Sequence, residues 1–596
     1  MLAYELPYRT YTGLGSNPDH IYRRSENSKQ GTFNMFTTYN LKLNDIHSFK
    51  VMAGINRVTY KLQYNWSQKT ELFDINNPQF DLANGTQTAG GGTEWESQLG
   101  YFGRINYILK DKYLFEANLR YDGSSKFPKE LKWRTFPSFS AGWIVSNESF
   151  MKGLNPTLST LKLRGSWGTI GDQTVANTLY VPTMTSMNTT WLNGDTRYQA
   201  YKTPNAVDAN ITWQDIENLN IGADFRFLND KLGVTYDWYE RTTKNMIVPG
   251  LEVPYTFGGD EPEGNYGELR TRGWEVAVDF NHRFKNGLGI NLMATLSDAT
   301  SVITGYPEAA AKTVTNASAY YKGLEIGDIY GYRTDRLYQK DDFEYDSNGS
   351  LIPITVDGYS VYKLKGENPS YQGFLQNSSN FKFGPGDVKF TDLNGDGKIN
   401  NGSAVVGDSG DMEVIGNSTP RYQYGLRLGA DYKGIDFSVF FQGVGKRDIW
   451  GDGFLAIAGY NSSDGAMPQT FAGDFWKEDR TDAFYPRAYN NAGSAKNNNM
   501  QVQSRYMLDM SYFRVKNITL GYSLPKDIIK KAYLSNARIY MSVENFFTFD
   551  NLKDLPIDPE SVSGYSMFNS SNYNSGRTGV GSPLFKSLSV GAQLTF

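Results

Sequence analysis

L588-S-V-G-A-Q-L-T-F596 ends the chain and decides its predicted fold. The apolar residues of this segment occupy alternate positions, at Leu588, Val590, Ala592, Leu594 and Phe596. Because the side chains of a β-strand point alternately to two faces, the segment predicts a strand with one apolar face and one small, polar face. A chain that stops on an aromatic residue at the end of such a strand is typical of an outer-membrane β-barrel, so we expect Phe596 to act in membrane anchoring and assembly.

The composition excludes several classes of protein. The sequence has no long apolar run and a mean hydropathy of −0.51, so it predicts no transmembrane helix. A β-barrel agrees with these values because lipid-facing and lumen-facing residues alternate along its strands. Aromatic residues make up 15% of the chain, and they suit the two membrane–water interfaces. The chain has no Cys to form disulfides, and its net charge of −4 gives no reason to expect a nucleic acid partner.

The same alternation recurs along the whole chain. Leu426, Leu428 and Ala430, for example, alternate with Arg427 and Asp431. Such charges are acceptable where they face water inside a wide lumen. The pattern predicts an all-β chain that forms a transmembrane antiparallel barrel, with about 15 strands at 31–43, 47–60, 98–109, 112–123, 133–147, 157–170, 212–227, 231–247, 268–284, 288–303, 421–433, 435–448, 510–524, 536–549 and 583–596.

Short and long connections also alternate. Short polar turns are predicted at Asn44–Ile46, Lys110–Asp111, Leu228–Asp230, Lys285–Gly287 and Gly434. Long stretches rich in Gly, Asn, Ser and Tyr lie between the hairpins, at 61–97, 171–211, 248–267, 304–420, 449–509 and 550–582. Outer-membrane barrels have short periplasmic turns and long external loops, so this arrangement favours them. Bacterial single-chain barrels have even strand numbers, and we therefore expect further strands from sequence outside this chain.

A set of motifs carries a family resemblance. In chain order they are R120-Y-D-G-S-S-K-F127, F136-P-S-F-S-A-G-W143, L161-K-L-R-G-S-W-G-T-I-G171, G386-D-V-K-F-T-D-L-N-G-D-G-K-I-N400, V414-I-G-N-S-T-P-R-Y-Q-Y-G425, Y512-F-R-V-K-N-I-T-L-G-Y-S-L-P525 and I539-Y-M-S-V-E-N-F-F547. Together they resemble the SusC/RagA family of TonB-dependent outer-membrane transporters of Bacteroidetes. The similarity runs from about residue 31 to Phe596.

The resemblance implies a 22-stranded barrel with an N-terminal plug in its lumen. It also implies import of oligosaccharides or peptides, a SusD-like surface lipoprotein as partner, and energy from TonB–ExbB–ExbD. Against that pattern we expect the plug and about seven strands to be absent from this chain, so that residues 1–30 form an external loop or an incomplete N-terminal part. Residues 31–596 are then the barrel, with a large external loop at 304–420. The expected location is the outer membrane of a Gram-negative bacterium, in contact with its lipid.

One loop motif indicates a possible structural calcium site. Asp392, Asn394 and Asp396 occupy the first, third and fifth positions of an EF-hand-like loop. Lys398 would contribute its backbone carbonyl at the seventh position. The twelfth position, where an EF-hand has a bidentate acid, is Ser403. The alternative is a turn rich in Gly and Asx residues that is held by local side-chain hydrogen bonds. No other cofactor is predicted.

Aromatic residues of the predicted external loops have two possible roles. They either contact a glycan, a peptide or the partner, or they pack the loops against one another. The candidates for substrate or partner contact are Trp191, Tyr198, Tyr201, Tyr330 and Tyr332, and 454–460 is a further aromatic stretch. Trp133, Trp143, Trp213 and Trp238 lie near strand ends and are predicted to sit at the membrane interfaces.

Catalysis has little support in the sequence. The three His, at 20, 47 and 282, are scattered, and no catalytic motif surrounds them. We therefore predict that the chain is not an enzyme. An alternative of another class is a secreted, calcium-stabilised β-rich glycan-binding protein or glycoside hydrolase, which would not need detergent. A siderophore receptor is a further alternative, although it would lack the G386–N400 motif.

Overall fold

The computed structural model describes residues 2–8, 20–74, 77–192, 194, 197–250, 253–254, 256, 258, 261–307, 320–376, 381–451, 473–489, 498–530, 533–552, 555, 557–560 and 584–596. Helical structure is sparse in these ranges, with 3-10 turns at Val145–Asn147, Ser149–Leu154, Lys340–Asp342 and Gly373–Leu375 and an α-helix at Lys526–Ile529. Over the same ranges, none of the helices has the length and hydropathy needed to cross a bilayer.

Sixteen strands of the described chain form one sheet in chain order. The neighbouring strands whose register is described run antiparallel. The strands are β1 (Leu2–Tyr8), β2 (His20–Leu43), β3 (His47–Thr70), β4 (Gln87–Leu109), β5 (Tyr113–Ser124), β6 (Trp133–Ile144), β7 (Leu158–Asp172), β8 (Gln214–Phe227), β9 (Leu232–Pro249), β10 (Glu263–Arg283), β11 (Gly289–Gly305), β12 (Arg421–Tyr432), β13 (Ile435–Lys446), β14 (Tyr512–Ser523), β15 (Asn536–Asp550) and β16 (Ser587–Thr595). The predicted strands are thus confirmed, with one more at the N-terminal side.

The short turns lie where the sequence predicts them. Between β2 and β3, Asn44 and Asp45 have φ values of 51° and 53°. Two consecutive positive φ values are the signature of a type I′ turn, whose twist matches that of the flanking strands. The amide of Ile46 donates to the carbonyl of Leu43 at 3.1 Å and closes this turn.

The two faces of the sheet differ as the alternation predicts. Ile105, Ala117 and Phe139 are in register on one face of β4, β5 and β6. Ile105 and Phe139 are about half exposed, as expected of side chains that contact lipid. Arg104 and Asn118 pair on the opposite face. We call these the apolar face and the polar face of the sheet.

Two predicted loops contain strand instead. Residues 1–30 hold β1 and the first part of β2, and the predicted loop at 61–97 holds the ends of β3 and β4. These parts lack a continuous apolar face, and β2 and β3 pair from His20↔Thr70 to Leu43↔His47 along their full lengths. Backbone pairing does not depend on apolar residues, so strands that extend beyond a bilayer leave only a weak pattern in the sequence.

The chain divides into two compact units. The first consists of Met1–Trp143, Arg164–Leu219 and Thr242–Gly267, and the second of Ile144–Leu163, Asn220–Arg241 and Glu268–Phe596. The first unit has a small core that contains Phe127, Phe136, Ile211 and Trp213. The core of the second unit is much larger and is formed by the long connections.

Candidate functional site

The long connections of the second unit fold together around a shared core, which we call the loop core. Its buried side chains come from 332–412, 449–450, 476–510 and 552–557. The largest of them include Tyr332, Tyr338, Phe343, Phe390, Trp450, Trp476 and Tyr506. Burial of this much apolar surface stabilises a defined structure, so these segments are not independent loops.

Short antiparallel strand pairs give the loop core its frame. They are Asp328–Tyr332 with Met412–Asn417, Thr334–Leu337 with Val388–Phe390, Pro353–Val356 with Tyr359–Tyr362, and Asp448–Trp450 with Met507–Asp509. The amide of Tyr332 also donates to the carbonyl of Val502 at 2.8 Å and joins two of the long connections. The predicted loops 304–420 and 449–509 therefore form one folded body over the residues that the structure describes.

Two of the predicted contact residues belong to this core. Tyr332 is only 4% exposed and packs against Phe390, with ring centroids 5.4 Å apart. A ring buried in this way has no free face for a ligand, so the prediction of Tyr332 as a contact residue was wrong. Tyr330 is half-buried, and its hydroxyl lies 2.7 Å from the hydroxyl of Tyr321. Both tyrosines thus follow the packing alternative.

A buried carboxylate connects three segments of the loop core. Asp387 has no exposed surface. Its oxygens accept hydrogen bonds from the amide of Gly384 at 2.8 Å, from Nδ2 of Asn499 at 2.7 Å and from the hydroxyl of Tyr489 at 2.8 Å. Asn499 in turn accepts a hydrogen bond from the amide of Val388 at 2.8 Å. Sequence patterns do not reveal this network, because Tyr489 and Asn499 lie more than 100 residues from Asp387.

Burial raises the pKa of Asp387 to about 6, although its hydrogen bonds act in the opposite direction. The folded loop core therefore binds this proton more tightly than the unfolded chain does. The stability that protonated Asp387 contributes to the loop core is complete below pH about 4 and is lost as the pH rises through about 6. We expect the loop core to lose roughly 2–3 kcal/mol of stability from this group between pH 4 and pH 7. Thermal unfolding of the wild type and of Asp387→Asn, which cannot titrate, would show the difference.

The predicted calcium loop is a tight turn. Asp392 accepts hydrogen bonds from the hydroxyl of Ser370 at 2.8 Å and from the amides of Gly395 at 2.6 Å and Gly397 at 2.9 Å. Burial acts to raise the pKa of Asp392, but these donors outweigh it and the pKa lies below its ordinary value. Gly397 has a φ of 79°, which agrees with the glycine expected at the sixth position.

The other predicted ligands make similar contacts. Asn394 Oδ1 accepts from the amide of Asp396 at 3.0 Å, and Asp396 Oδ1 accepts from the amide of Lys398 at 2.8 Å. The ammonium of Lys398 lies 3.1 Å from the carboxylate of Asp357. In the described ranges, no group of three or more His, Cys, Asp or Glu side chains is placed to hold a metal ion. These contacts match the alternative of a turn that is held by its own side-chain hydrogen bonds, and calcium binding stays a prediction.

Replacement of Asp392 with alanine tests the two alternatives. If calcium binds, we expect the change to remove a calcium-dependent rise in melting temperature that the wild type shows. If the turn only bonds to itself, the change should lower stability by about 1–2 kcal/mol with or without calcium, because the donors lose their acceptor. Thermal unfolding in calcium and in chelator distinguishes these results, and Asp357→Ala is a matched surface control.

The remaining contact candidates lie on an exposed hairpin of the first unit. Ser186–Asn188 pairs with Gln199–Tyr201. Trp191, Tyr198 and Tyr201 are 63%, 50% and 64% exposed. Exposed aromatic rings of this size are suited to contacts with a partner or a ligand. The predicted aromatic stretch 454–460 lies outside the described residues.

The predicted interface tryptophans differ in their positions. Trp133 stacks on Tyr121 with ring centroids 4.9 Å apart, and Trp143 stacks on Tyr113 at 6.4 Å. The prediction for Trp213 was wrong, since it is only 3% exposed and its indole N–H donates to the carbonyl of Lys132 at 2.9 Å. It fills the small core of the first unit, where four apolar side chains meet.

Several charged residues on the polar face form ion pairs. In the first unit, Arg120 donates to both oxygens of Asp122, at 3.0 and 2.8 Å. The second unit has the pairs Arg226–Asp279, Arg283–Asp431 and Arg538–Asp436. Partial exposure of these pairs is acceptable where a lumen contains water.

A buried arginine of the second unit lies next to a β-bulge. The register of β14 shifts between Val515 and Asn517, directly after this arginine. Arg514 is 3% exposed and donates to Asp558 at 2.7 Å and to Glu560 at 2.6 Å. This arginine fixes the connection after β15 to the inside of β14.

The chain end has an exposed aromatic ring. Phe596 is 89% exposed, and its carbonyl accepts a hydrogen bond from the hydroxyl of Ser535 at 3.3 Å. The role of Phe596 in assembly stays a prediction.

Comparisons with known proteins agree with this architecture. The family model described as "TonB dependent receptor-like, beta-barrel" matches residues 3–381. TonB-dependent receptor P3 of Formosa agariphila is 25% identical over 596 residues, which cover 98% of this chain and 54% of that relative. TonB-dependent receptor SusC of Bacteroides thetaiotaomicron is 29% identical over 486 residues, which cover 78% of this chain and 42% of that relative. The chain thus spans about half the length of the curated relatives it matches.

A solved structure shares the fold. The RagAB peptide transporter superposes with a TM-score of 0.71 at 17% identity, and the match covers 100% of this chain and 58% of that one. At this identity the likeness concerns the fold alone.

Proposed function

This chain belongs to the TonB dependent receptor-like, beta-barrel family, and from that membership we propose that it forms part of the barrel wall of a SusC-like outer-membrane importer. Membership confirms the predicted β-barrel class and the outer-membrane location, and it agrees with the prediction that the chain is not an enzyme. The observation that carries the proposal is the division of the sheet into an exposed apolar face and a polar face with paired charges.

In this proposal the importer takes up oligosaccharides or peptides, works with a SusD-like lipoprotein and draws its energy from TonB. The solved RagAB structure is that of a peptide transporter, which supports the peptide alternative. The oligosaccharide alternative follows from the resemblance to the SusC/RagA family. The loop core supports it physically, because a folded body on the long connections offers a shaped surface for capture. The exposed hairpin with Trp191, Tyr198 and Tyr201 is the proposed contact for the partner.

Replacement of Trp191, Tyr198 and Tyr201 together with alanine is expected to reduce co-purification of the lipoprotein at least tenfold, because large exposed rings supply most of the energy of such contacts. The measurement is the amount of lipoprotein that follows the tagged barrel from detergent-solubilised outer membranes. A matched control replaces Phe150 and Tyr533, which are 68% and 92% exposed outside the long connections. Equal recovery with both variants would refute the assignment of the hairpin.

Import itself needs a separate test. Disruption of the gene should stop growth on the oligosaccharide or peptide that the protein takes up, and a copy of the gene should restore it. Recovery of the protein from a soluble fraction without detergent would favour the secreted glycan-binding alternative.

A further inference from the structure

Two girdles of aromatic rings border the apolar face in the first unit. One lies beside the short turn between β2 and β3 and includes Phe49 and Tyr107, whose ring centroids are 4.6 Å apart. The other includes Tyr121 and Trp133, with centroids 4.9 Å apart. Aromatic girdles lie at the two membrane–water interfaces of outer-membrane barrels, and the short turns face the periplasm. The girdle of Tyr121 and Trp133 therefore marks the level of the outer leaflet.

Three cations lie on the apolar face at this level and just beyond it. Arg57 of β3 is in register with Trp133 across β4 and β5, so it lies at the outer girdle. Lys61 is four residues farther along β3, directly opposite Lys29 of β2. All three side chains are exposed. Over the described part of the chain, no ion pair or side-chain hydrogen bond involves them.

Lys29 and Lys61 form a pair of like charges. Residues directly opposite on one face of an antiparallel sheet have Cβ atoms about 4.5–5.5 Å apart, and like charges in such positions are destabilising. The acids of β2–β4 are Glu26, Glu94 and Glu96, and the alternation of side chains places all of them on the polar face. The two lysines thus lack a counter-ion from these strands, and an anion from outside the chain would relieve their repulsion.

Small residues separate the two levels of positive charge. Gly31, Thr59 and Ser97 are in register in the row between them, and they leave a shallow depression about 13 Å long between the flanking cations. The hydroxyl of Thr59 lies 3.4 Å from the carbonyl of Gly31, a long hydrogen bond that an anion can replace. Trp95, which is 65% exposed, borders the depression beside Lys61. We call this depression the cationic depression.

We infer that the cationic depression binds the phosphorylated headgroup of a lipid of the outer leaflet. Lys and Arg side chains near a membrane surface attract anionic headgroups, and phosphate oxygens accept strong hydrogen bonds from them. The apolar face continues toward the periplasm with Phe33 and Met35, which are 56% and 61% exposed, so the acyl chains of the same lipid have a surface to contact. This continuity favours a lipid over a soluble anion. The inference needs the outer-membrane location and does not depend on import.

Native mass spectrometry of the detergent-solubilised protein tests the lipid site. The probe is monophosphoryl lipid A, and the comparison probes are the same lipid without its phosphate and inorganic phosphate. We expect the wild type to bind the phosphorylated lipid at least tenfold more tightly than either comparison probe. The triple variant Lys29→Gln, Arg57→Gln and Lys61→Gln should bind it at least tenfold more weakly than the wild type, because the cations that attract the phosphate are gone.

Matched variants separate the site from a general effect of charge. Replacement of three exposed lysines near short connections with glutamine, at Lys152, Lys526 and Lys530, removes the same net charge and should change the affinity less than twofold. Thr59→Phe fills the cationic depression without altering any charge and should weaken binding at least fivefold. Its control is Thr37→Phe, an exposed position of the apolar face on the periplasmic side of the depression, which should stay within twofold. Heat-modifiable migration on gels shows that each variant is folded.

Several results would overturn the inference. Wild-type affinity for monophosphoryl lipid A in the triple variant or in Thr59→Phe would show that the phosphate binds elsewhere. Equal binding of the lipid without phosphate would show that the acyl chains alone are recognised. Binding of inorganic phosphate as tight as that of the lipid would assign the depression to a soluble anion. An equal loss of affinity in the lysine control would reduce the effect to general electrostatic attraction. If the triple variant does not fold, Thr59→Phe alone decides the question.

Discussion

Replacement of Asp387 with alanine is expected to unfold much of the loop core at neutral pH. The change removes the acceptor of three hydrogen bonds from Gly384, Asn499 and Tyr489, and it leaves these donors buried. Unpaired buried donors and the new cavity together should cost about 3–5 kcal/mol of local stability. Native-state hydrogen exchange at the amides of Val388 and Phe390 measures this loss, since both amides bond to side chains of the core.

A surface acid provides the control for that experiment. Asp357 is about half exposed and pairs with Lys398, so Asp357→Ala should cost less than about 1 kcal/mol. If Asp387→Ala left exchange at Val388 as slow as in the wild type, the network would not hold the loop core together.

Replacement of Arg514 with alanine is expected to release the connection after β15. Arg514 is buried, and its loss removes the cation that Asp558 contacts at 2.7 Å and leaves Glu560 with Lys516 alone. Thr548 also loses a donor at 2.8 Å. Removal of one partner from a buried ion pair typically costs about 3–5 kcal/mol. The expected result is rapid hydrogen exchange at the amide of Glu560, which is held to Asp558 in the wild type.

An exposed arginine–aspartate pair is the control for the effect of the burial of Arg514 on stability. Arg283 and Asp431 are 63% and 45% exposed at their side chains, so Arg283→Ala should cost less than about 1 kcal/mol. Arg514→Lys keeps the charge but loses the forked geometry, and it should restore part of the protection. Unchanged exchange at Glu560 in Arg514→Ala would contradict the proposed role of the buried arginine.

The strands could be predicted from the sequence because lipid and water impose opposite requirements on the two faces of the sheet. Leu426 and Leu428 could be assigned to one face and Arg427 to the other from their spacing alone, and the structure pairs β12 and β13 in that register. The turn at Asn44 and Asp45 could be located because few residues other than Gly, Asn and Asp adopt positive φ.

The loop core could not be predicted, because its contacts join residues that are far apart in the chain. Trp450 and Trp476 resemble any loop aromatics in the sequence, although both are buried. The assignment of Trp213 to a membrane interface failed for the same reason. A useful signal was present in V388-K-F390, whose alternating apolar residues form a short strand within the predicted loop. F381-K-F383 has the same alternation without forming a strand, and both of its Phe side chains are buried.

The length of β3 and β4 has a consequence for where the chain tolerates substitution. These strands have 24 and 23 residues, whereas a tilted crossing of a bilayer needs about 9–11. At about 3.3 Å per residue, roughly 40 Å of paired strand therefore extends past the lipid. Main-chain bonding supports this projection, so its side chains can be replaced without loss of the hydrogen bonds that hold the two strands together.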